Sequence, residues 1–353
     1  MMRVEDIDTP APVVDLDKVE SNLKRAADYF RENRIALRPH IKTHKIVEFS
    51  RRQVELGATG ITCQKLGEAE VMADGGIDDI FMTFPIVGEA KLARLTALAK
   101  RARMSAVTDS FEVAEAMATA AEAVGVKIEL LIECDTGNGR CGVQSGSEVA
   151  ALAERIANAR GLSFGGLMVY PEKGKVATTR AWIADALAAL SRSGLEAKRV
   201  SVGGTPDMYR AHEIGNSTEH RPGTYIYSDR ATAVAGVGTL HDTALRVVAT
   251  VVSRPTSNRA ILDAGSKTLS SDLLGFPDHG VVMEYPKASI VKLNEEHGIV
   301  DLSASPEKPR IGERVTIVPN HVCVVSNLFD SVYAVQDGRV VREIPVAARG
   351  LVR

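Results

Sequence analysis

From Arg38 to Lys45 the sequence RPHIKTHK places five cationic or cationisable side chains, Arg38, His40, Lys42, His44 and Lys45, within eight positions. It follows Ile35 and Leu37, which alternate as in a strand, and precedes a helical pattern that starts at Ile46. Three readings fit: an anion-binding turn, a basic surface patch, or a lysine that condenses with a carbonyl. Far along the chain, His321 and Cys323 of PNHVC offer a second chemistry. Two apart in an extended segment, they would project to one side and share a divalent metal, or form a buried thiol beside a packed imidazole. Between these segments stands GGTP, Gly203 to Pro206. Its glycines allow a backbone to approach a phosphate and Thr205 adds a hydroxyl, although an ordinary turn between strand and helix reads the same way.

Residues so far apart can cooperate only if the elements around them bring them together. Candidate strands lie near 34–39, 58–63, 79–84, 104–108, 127–133, 163–169, 199–203 and 224–227, separated by segments with helical composition. One helix is predicted earlier, where Val19, Leu23, Ala27 and Phe30 recur at spacings of three and four. The alternation of strand and helix favours a (β/α)8 TIM-type barrel over a doubly wound sheet, and no G-x-G-x-x-G follows the first strand. After about residue 236 the segments become β-branched and alternating, punctuated by turn signals such as SRPTSN and QDGR. The expected fold is therefore α/β: a barrel over 12–235, and a C-terminal antiparallel β domain formed by 236–353 with 1–11.

Function in such a barrel collects at the C-terminal ends of the strands. On this reading Lys42 follows the first strand, Asp135 and Arg140 the fifth, Tyr170 the sixth, and GGTP the seventh. A lysine facing a phosphate site across the barrel mouth is what a pyridoxal phosphate enzyme requires.

Composition narrows the partners. The 353 residues carry 43 Lys+Arg against 45 Asp+Glu, so no bulk field draws the chain to nucleic acid or membrane. No apolar run approaches the roughly 20 residues that span a bilayer. The N-terminus MMRVEDIDTPAP has acids and no apolar core of a signal peptide. Cys63, Cys134, Cys141 and Cys323 are too scattered for a disulfide framework, and a cytoplasmic protein with free thiols is expected.

RPHIKTHK, GGTP, RPGTY, LDAGSKTLSSD, LNEEHG and PNHVCVVSNLFD occur in that order. Together they resemble the metal-activated D-threonine aldolase and eukaryotic-type D-serine dehydratase family, over nearly the whole chain. Members are fold-type III pyridoxal phosphate enzymes, distantly related to alanine racemases. The resemblance implies that Lys42, not Lys45, forms the Schiff base with pyridoxal 5'-phosphate, with His40 in its setting. It implies Gly203, Gly204 and Thr205 as phosphate ligands, Tyr225 near the cofactor, and Tyr170 lining the ring or substrate pocket. Arg140 matches the arginine of a racemase-like D-x-G-x-x-R-x-G segment, a cation on the pyridine side. His321 and Cys323 fall on the family's two-residue metal site, for Zn, Mn or Mg, and a thiolate with an imidazole suits Zn²⁺. His297 of NEEHG binds substrate, acts as a base, or closes a turn, and Asp229 orients a neighbour. The implied substrate is a D-β-hydroxy-α-amino acid and the implied assembly a homodimer. D-Threonine cleavage to glycine and acetaldehyde is the leading activity. Dehydration of D-serine or 3-hydroxy-D-aspartate uses the same parts, and a non-catalytic pyridoxal phosphate carrier is the remoter alternative.

Overall fold

Short strands with alternating side-chain direction build one of the two units in the computed structural model, which describes residues 2–353. This barrel unit comprises Ala26–Lys42, Val47–Gly223 and Leu351–Arg353. Its eight strands are Ala36–Leu37, Ile61–Cys63, Asp79–Met82, Arg103–Thr108, Ile128–Cys134, Leu162–Val169, Arg199–Gly203 and Glu219–Arg221. They pair in parallel from Ile61–Cys63 onward in chain order, and Glu219–Arg221 then pairs with Ala36–Leu37. Beyond that pairing His40 bridges Thr62, whose N–H donates to the Pro39 carbonyl at 2.8 Å. The first strand thus meets both the eighth and the second, which curls the sheet into a barrel.

The two-residue period decides what each side chain does. Ile80, Met82, Leu130, Ile132, Leu167 and Val169 pack with the surrounding helices, against residues such as Leu95, Met117 and Ile183. Their neighbours Phe81, Leu131 and Met168 form a separate interior cluster with Val107. Each fully buried Leu, Ile, Phe or Met contributes roughly 1.5–3 kcal/mol. Helices Val47–Glu55, Leu66–Asp74, Glu89–Ala99, Phe111–Ala123, Gly146–Asn158 and Val176–Arg192 connect successive strands, and a 3-10 helix, Met208–Glu213, makes the last connection.

The eighth strand is not where periodicity predicts it. It occupies Glu219–Arg221, and the expected strand at 224–227 is a 3-10 turn, Thr224–Ile226. Pro222 has no N–H to give to a ladder, so pairing stops before it. The strand was disguised by buried charge. Glu219 accepts from Arg38 at 2.6 Å and lies 3.6 Å from Arg199, while Arg221 donates to Ser201 Oγ at 2.6 Å and to the Val169 carbonyl at 3.0 Å. Such networks barely stabilise against apolar packing, but removing one partner leaves a costly buried charge.

His220, between these two residues, is buried and stacks on Phe30. Burial pushes its pKa from 6.5 down to about 4, against the smaller pull of a hydrogen bond to the Gly204 carbonyl. Between those values the unfolded chain binds a proton that the folded chain does not, so stability falls as pH drops through the window. From pH 7 to pH 5 this amounts to about 2 kcal/mol. His220→Gln is expected to remove that slope, measured by urea unfolding at the two pH values; an unchanged slope would place the acid sensitivity on another group.

The second unit comprises the chain up to Arg25, Thr43–Ile46 and Thr224–Gly350. Nine strands form its sheet, and the 12-residue strand Leu245–Thr256 organises it. Its first half pairs with Ala11–Asp15 on one side and Arg314–Val318 on the other; its second half pairs with Arg259–Leu262 through two register shifts. Those irregularities bend the strand and let it serve two sets of partners. The named pairings are antiparallel except Ala11–Asp15 with Ser331–Gln336, which is parallel, so the sheet is mixed. The QDGR signal is a hairpin turn between Ser331–Gln336 and Arg339–Pro345, with positive φ at both Asp337 (49°) and Gly338 (71°), as a two-residue type I′ turn demands. The early amphipathic helix is Leu16–Glu32, and Val19, Leu23, Ala27 and Phe30 are all buried. Among the described residues no helix is long and apolar enough to cross a membrane.

Candidate functional site

In the barrel unit the candidate residues lie in the loops that leave one end of the parallel strands. Lys42 sits half-buried in the 3-10 turn Ile41–Thr43, just after the first strand. The Gly203–Thr205 turn ends the seventh, and only the eighth separates the two, a lateral spacing of about 10 Å. The Lys42 N–H points at His40 Nδ1, 3.4 Å away, so Nε2 carries the imidazole proton and donates to Gln64 Oε1 at 2.9 Å.

Both glycines of the turn are needed. A Cβ on Gly203 would stand 2.8 Å from the Arg221 guanidinium and 3.1 Å from the Tyr170 ring, and Gly204 has φ +106°. The Arg140 guanidinium lies 4.9 Å from the centroid of that same ring and 3.3 Å from Glu133 Oε1. Burial raises the Glu133 pKa, partly offset by Arg140, and Glu133 Oε2 is buried without a partner. Arg140, Tyr170, Gly203 and Arg221 therefore form one continuous group. A cradle that a Cβ would fill, bordered by guanidinium groups and a hydroxyl, fits the phosphate and ring of pyridoxal 5'-phosphate, and Lys42 fits its aldehyde.

The second unit holds the other pair. The extended geometry expected for His321 and Cys323 is corrected: His321 is the N-cap of a helix, Val322–Leu328, and Cys323 lies in its first turn. The β-branched run VCVV reads as strand by propensity, but Val322 and Val325, three apart, are both buried and select the helix. The helix start still brings the two side chains together. His321 and Cys323 share a hydrogen bond, and Thr43 Oγ1 lies 3.1 Å from the Cys323 sulfur. Asp229, fully buried, accepts from His321 Nδ1 at 3.0 Å and from the Val322 N–H at 3.2 Å. Its second oxygen accepts from the Thr232 N–H and hydroxyl, both at 2.8 Å.

Burial acts to lower the His321 pKa, but Cys323 and Asp229 outweigh it and raise it to about 11. The imidazole thus carries a proton between a sulfur and a carboxylate, and a divalent cation could take the place of the proton facing the sulfur. With Nδ1 committed to Asp229, Nε2 would be the ligand nitrogen for such a cation, and an imidazole with a thiolate suits Zn²⁺. No group of three His, Cys, Asp or Glu side chains among the described residues could hold a metal, so the remaining positions would belong to water or substrate. Asp229→Asn is expected to weaken Zn²⁺ binding about 10- to 100-fold with the fold retained. Competition with a chromophoric chelator measures this, and an unchanged affinity would deny Asp229 the role.

The other candidates are placed differently. Tyr225 is buried in the turn Thr224–Ile226. His297 is exposed in the hairpin turn between Ser289–Leu293 and Gly298–Asp301, where its carbonyl accepts from the Asn294 N–H at 2.9 Å. Residues that sequence reasoning missed are Thr43, Glu133, His220 and Arg221. Thr43 lay within RPHIKTHK and Arg221 opened RPGTY, while Glu133 and His220 have no local pattern that marks them.

With this geometry in view, comparisons place the chain among known proteins. Residues 14–231 match the family described as alanine racemase, N-terminal domain, and residues 244–335 a putative serine dehydratase domain. D-threonine aldolase of an Arthrobacter species is 36% identical over 360 residues, covering 98% of this chain and 94% of that protein. D-threo-3-hydroxyaspartate dehydratase of Delftia sp. (strain HT23) is 31% identical over 366 residues, covering 95% and 96%. The crystal structure of D-threonine aldolase from Filomicrobium marinum superposes with a TM-score of 0.93 at 34% identity, covering 100% of this chain and 98% of that one.

Proposed function

The chain belongs to the D-threonine aldolase and D-serine dehydratase-like family of fold-type III pyridoxal phosphate enzymes, and from that premise we propose that it cleaves D-β-hydroxy-α-amino acids by a retro-aldol reaction, D-threonine giving glycine and acetaldehyde. When bound, pyridoxal 5'-phosphate supplies an electron-accepting ring for the pair released at the α-carbon, and a divalent cation supplies positive charge beside a substrate oxygen.

The chain's own residues do the rest. Lys42 Nζ would hold the cofactor's aldehyde. The Gly203–Thr205 backbone and the Thr205 hydroxyl hold the phosphate, while Arg140 and Tyr170 border the ring. His321 Nε2 and the Cys323 sulfur hold the cation, and Asp229 fixes the imidazole. In the reaction the β-hydroxyl loses its proton, the Cα–Cβ electrons pass to the α-carbon, and the aldehyde leaves. Return of a proton to the α-carbon completes glycine.

The observation that carries this reading is the contact between Thr43 and Cys323. Thr43 is the residue bonded to Lys42, so the proposed Schiff-base lysine is one peptide from a side chain that touches a proposed metal ligand. Retro-aldol cleavage uses both an amine that holds the cofactor and a cation that binds the β-hydroxyl. The family resemblance adds a homodimer and a cytoplasmic location to the proposal.

One observation favours a second reading. A sulfur and an imidazole as the donor pair suit Zn²⁺, where Mn²⁺ or Mg²⁺ would prefer oxygen. A zinc ion held there would supply positive charge beside a departing β-hydroxyl, and Lys42 would take the α-proton, so that D-serine or 3-hydroxy-D-aspartate would yield a keto acid and ammonia. Assays of the purified holoenzyme with all three substrates separate the readings. Glycine and acetaldehyde in equal amounts from D-threonine are expected; ammonia and a keto acid without aldehyde would replace the first reading by the second.

A further inference from the structure

The Gly203–Thr205 turn is held by the strand beside it and the residues that follow, through three hydrogen bonds from His220, Arg221 and Gly223. The Arg221 carbonyl accepts from the Gly204 N–H at 3.4 Å, and the Gly223 N–H donates to the Thr205 hydroxyl at 3.1 Å. The third runs from His220 Nε2 to the Gly204 carbonyl at 2.9 Å, and it alone uses a side chain of that strand.

The tautomer follows from the partner. A carbonyl only accepts, so Nε2 carries the proton and Nδ1 keeps its lone pair. Nδ1 is buried with no hydrogen-bond partner. A leucine would fill the same space without stranding a nitrogen, so packing alone gives no reason for a histidine here. Phe30 stacks on the ring, centroids 5.3 Å apart at 24°, which fixes the plane in which Nε2 points.

The consequence lies in the next peptide. In a trans peptide the C=O and the following N–H point in opposite directions. With the Gly204 carbonyl turned to His220, the Thr205 N–H faces the other way. We propose that His220 is a positioning residue for the cofactor's phosphate, holding the Gly204–Thr205 peptide so that the Thr205 N–H is presented to the anion. The inference rests on reading Gly203–Thr205 as a phosphate turn, and its ligand is a phosphate monoester, not the pyridine ring.

Cofactor-stripped protein titrated with pyridoxal 5'-phosphate and with pyridoxal, which lacks the phosphate, tests it. His220→Leu removes the donor. His220→Asn puts an amide only where Nδ1 stood, and His220→Gln restores a donor near Nε2. The leucine and asparagine variants are expected to bind pyridoxal 5'-phosphate about five- to tenfold more weakly, the size of one neutral hydrogen bond, with pyridoxal unchanged. The glutamine variant should stay within about twofold of the parent. If the leucine variant does not fold, the asparagine and glutamine pair decides.

Parallel weakening of both compounds would make the role purely structural and overturn the proposal, as would a glutamine variant no better than asparagine. Parent protein that binds the two compounds equally well overturns the inference through its premise. That result is distinct, because it appears before any substitution is made.

Discussion

Lys42→Ala is expected to abolish turnover, by roughly 10³-fold or more, and to remove the absorption of covalently held cofactor. Two functions are lost together in that variant. The amine proposed to hold the aldehyde is gone, and so is the group that the dehydration reading uses to move the α-proton. Lys45→Ala is the control. Lys45 is buried, has φ +55° and directs its Nζ to the Ala348 carbonyl at 3.5 Å. Its loss should affect stability and leave the absorption in place. Spectra of the two purified variants, recorded beside their rates, check the assignment. If Lys42→Ala kept the absorption and Lys45→Ala lost it, the lysines would have to exchange roles.

The second large effect is expected at His321 and Cys323. On the proposed reading the described residues give the cation two donors, so removal of either would leave a single protein bond, too few for tight binding. His321→Ala and Cys323→Ala should each lose the metal and slow turnover by roughly 10²- to 10³-fold, as loss of a charge-stabilising group does. Cofactor absorption should persist, because Lys42 is untouched. Chelation of the parent should reproduce this state, and Zn²⁺ should reverse it in the parent but not in His321→Ala. Cys323→Asp makes the finer point. An oxygen in place of sulfur should shift the metal that best restores activity toward Mn²⁺ or Mg²⁺. Metal analysis together with rates decides the matter, and a His321→Ala protein that retains the metal in full would remove the pair from the proposal.

How much of this was readable beforehand depended on the distance over which each residue acts. The amphipathic helix with Val19, Leu23, Ala27 and Phe30, the alternating strands and the QDGR hairpin all follow from local spacing, because burial of one face imposes the period. The eighth strand escaped because Glu219 and Arg221 are charged, and a charged residue inside a barrel is intelligible only beside its partners, Arg38, Arg199 and Ser201. His321 and Cys323 were visible by type. Their conformation was not, since β-branched propensity pointed to a strand and tertiary burial of Val322 and Val325 produced a helix.

The sequence by itself therefore determined which chemistries the chain can carry and the order of elements that carry them. RPHIKTHK, GGTP and PNHVC are local, and local patterns survive without coordinates. Only the tertiary structure decided how those groups are held. Asp229 reaches His321 across 92 residues and Thr43 reaches Cys323 across 280. The imidazole of His220 supports a glycine carbonyl from the neighbouring strand. None of these contacts leaves a trace in spacing or composition, because a hydrogen bond between distant residues depends on where the chain returns, not on what stands beside each residue in it.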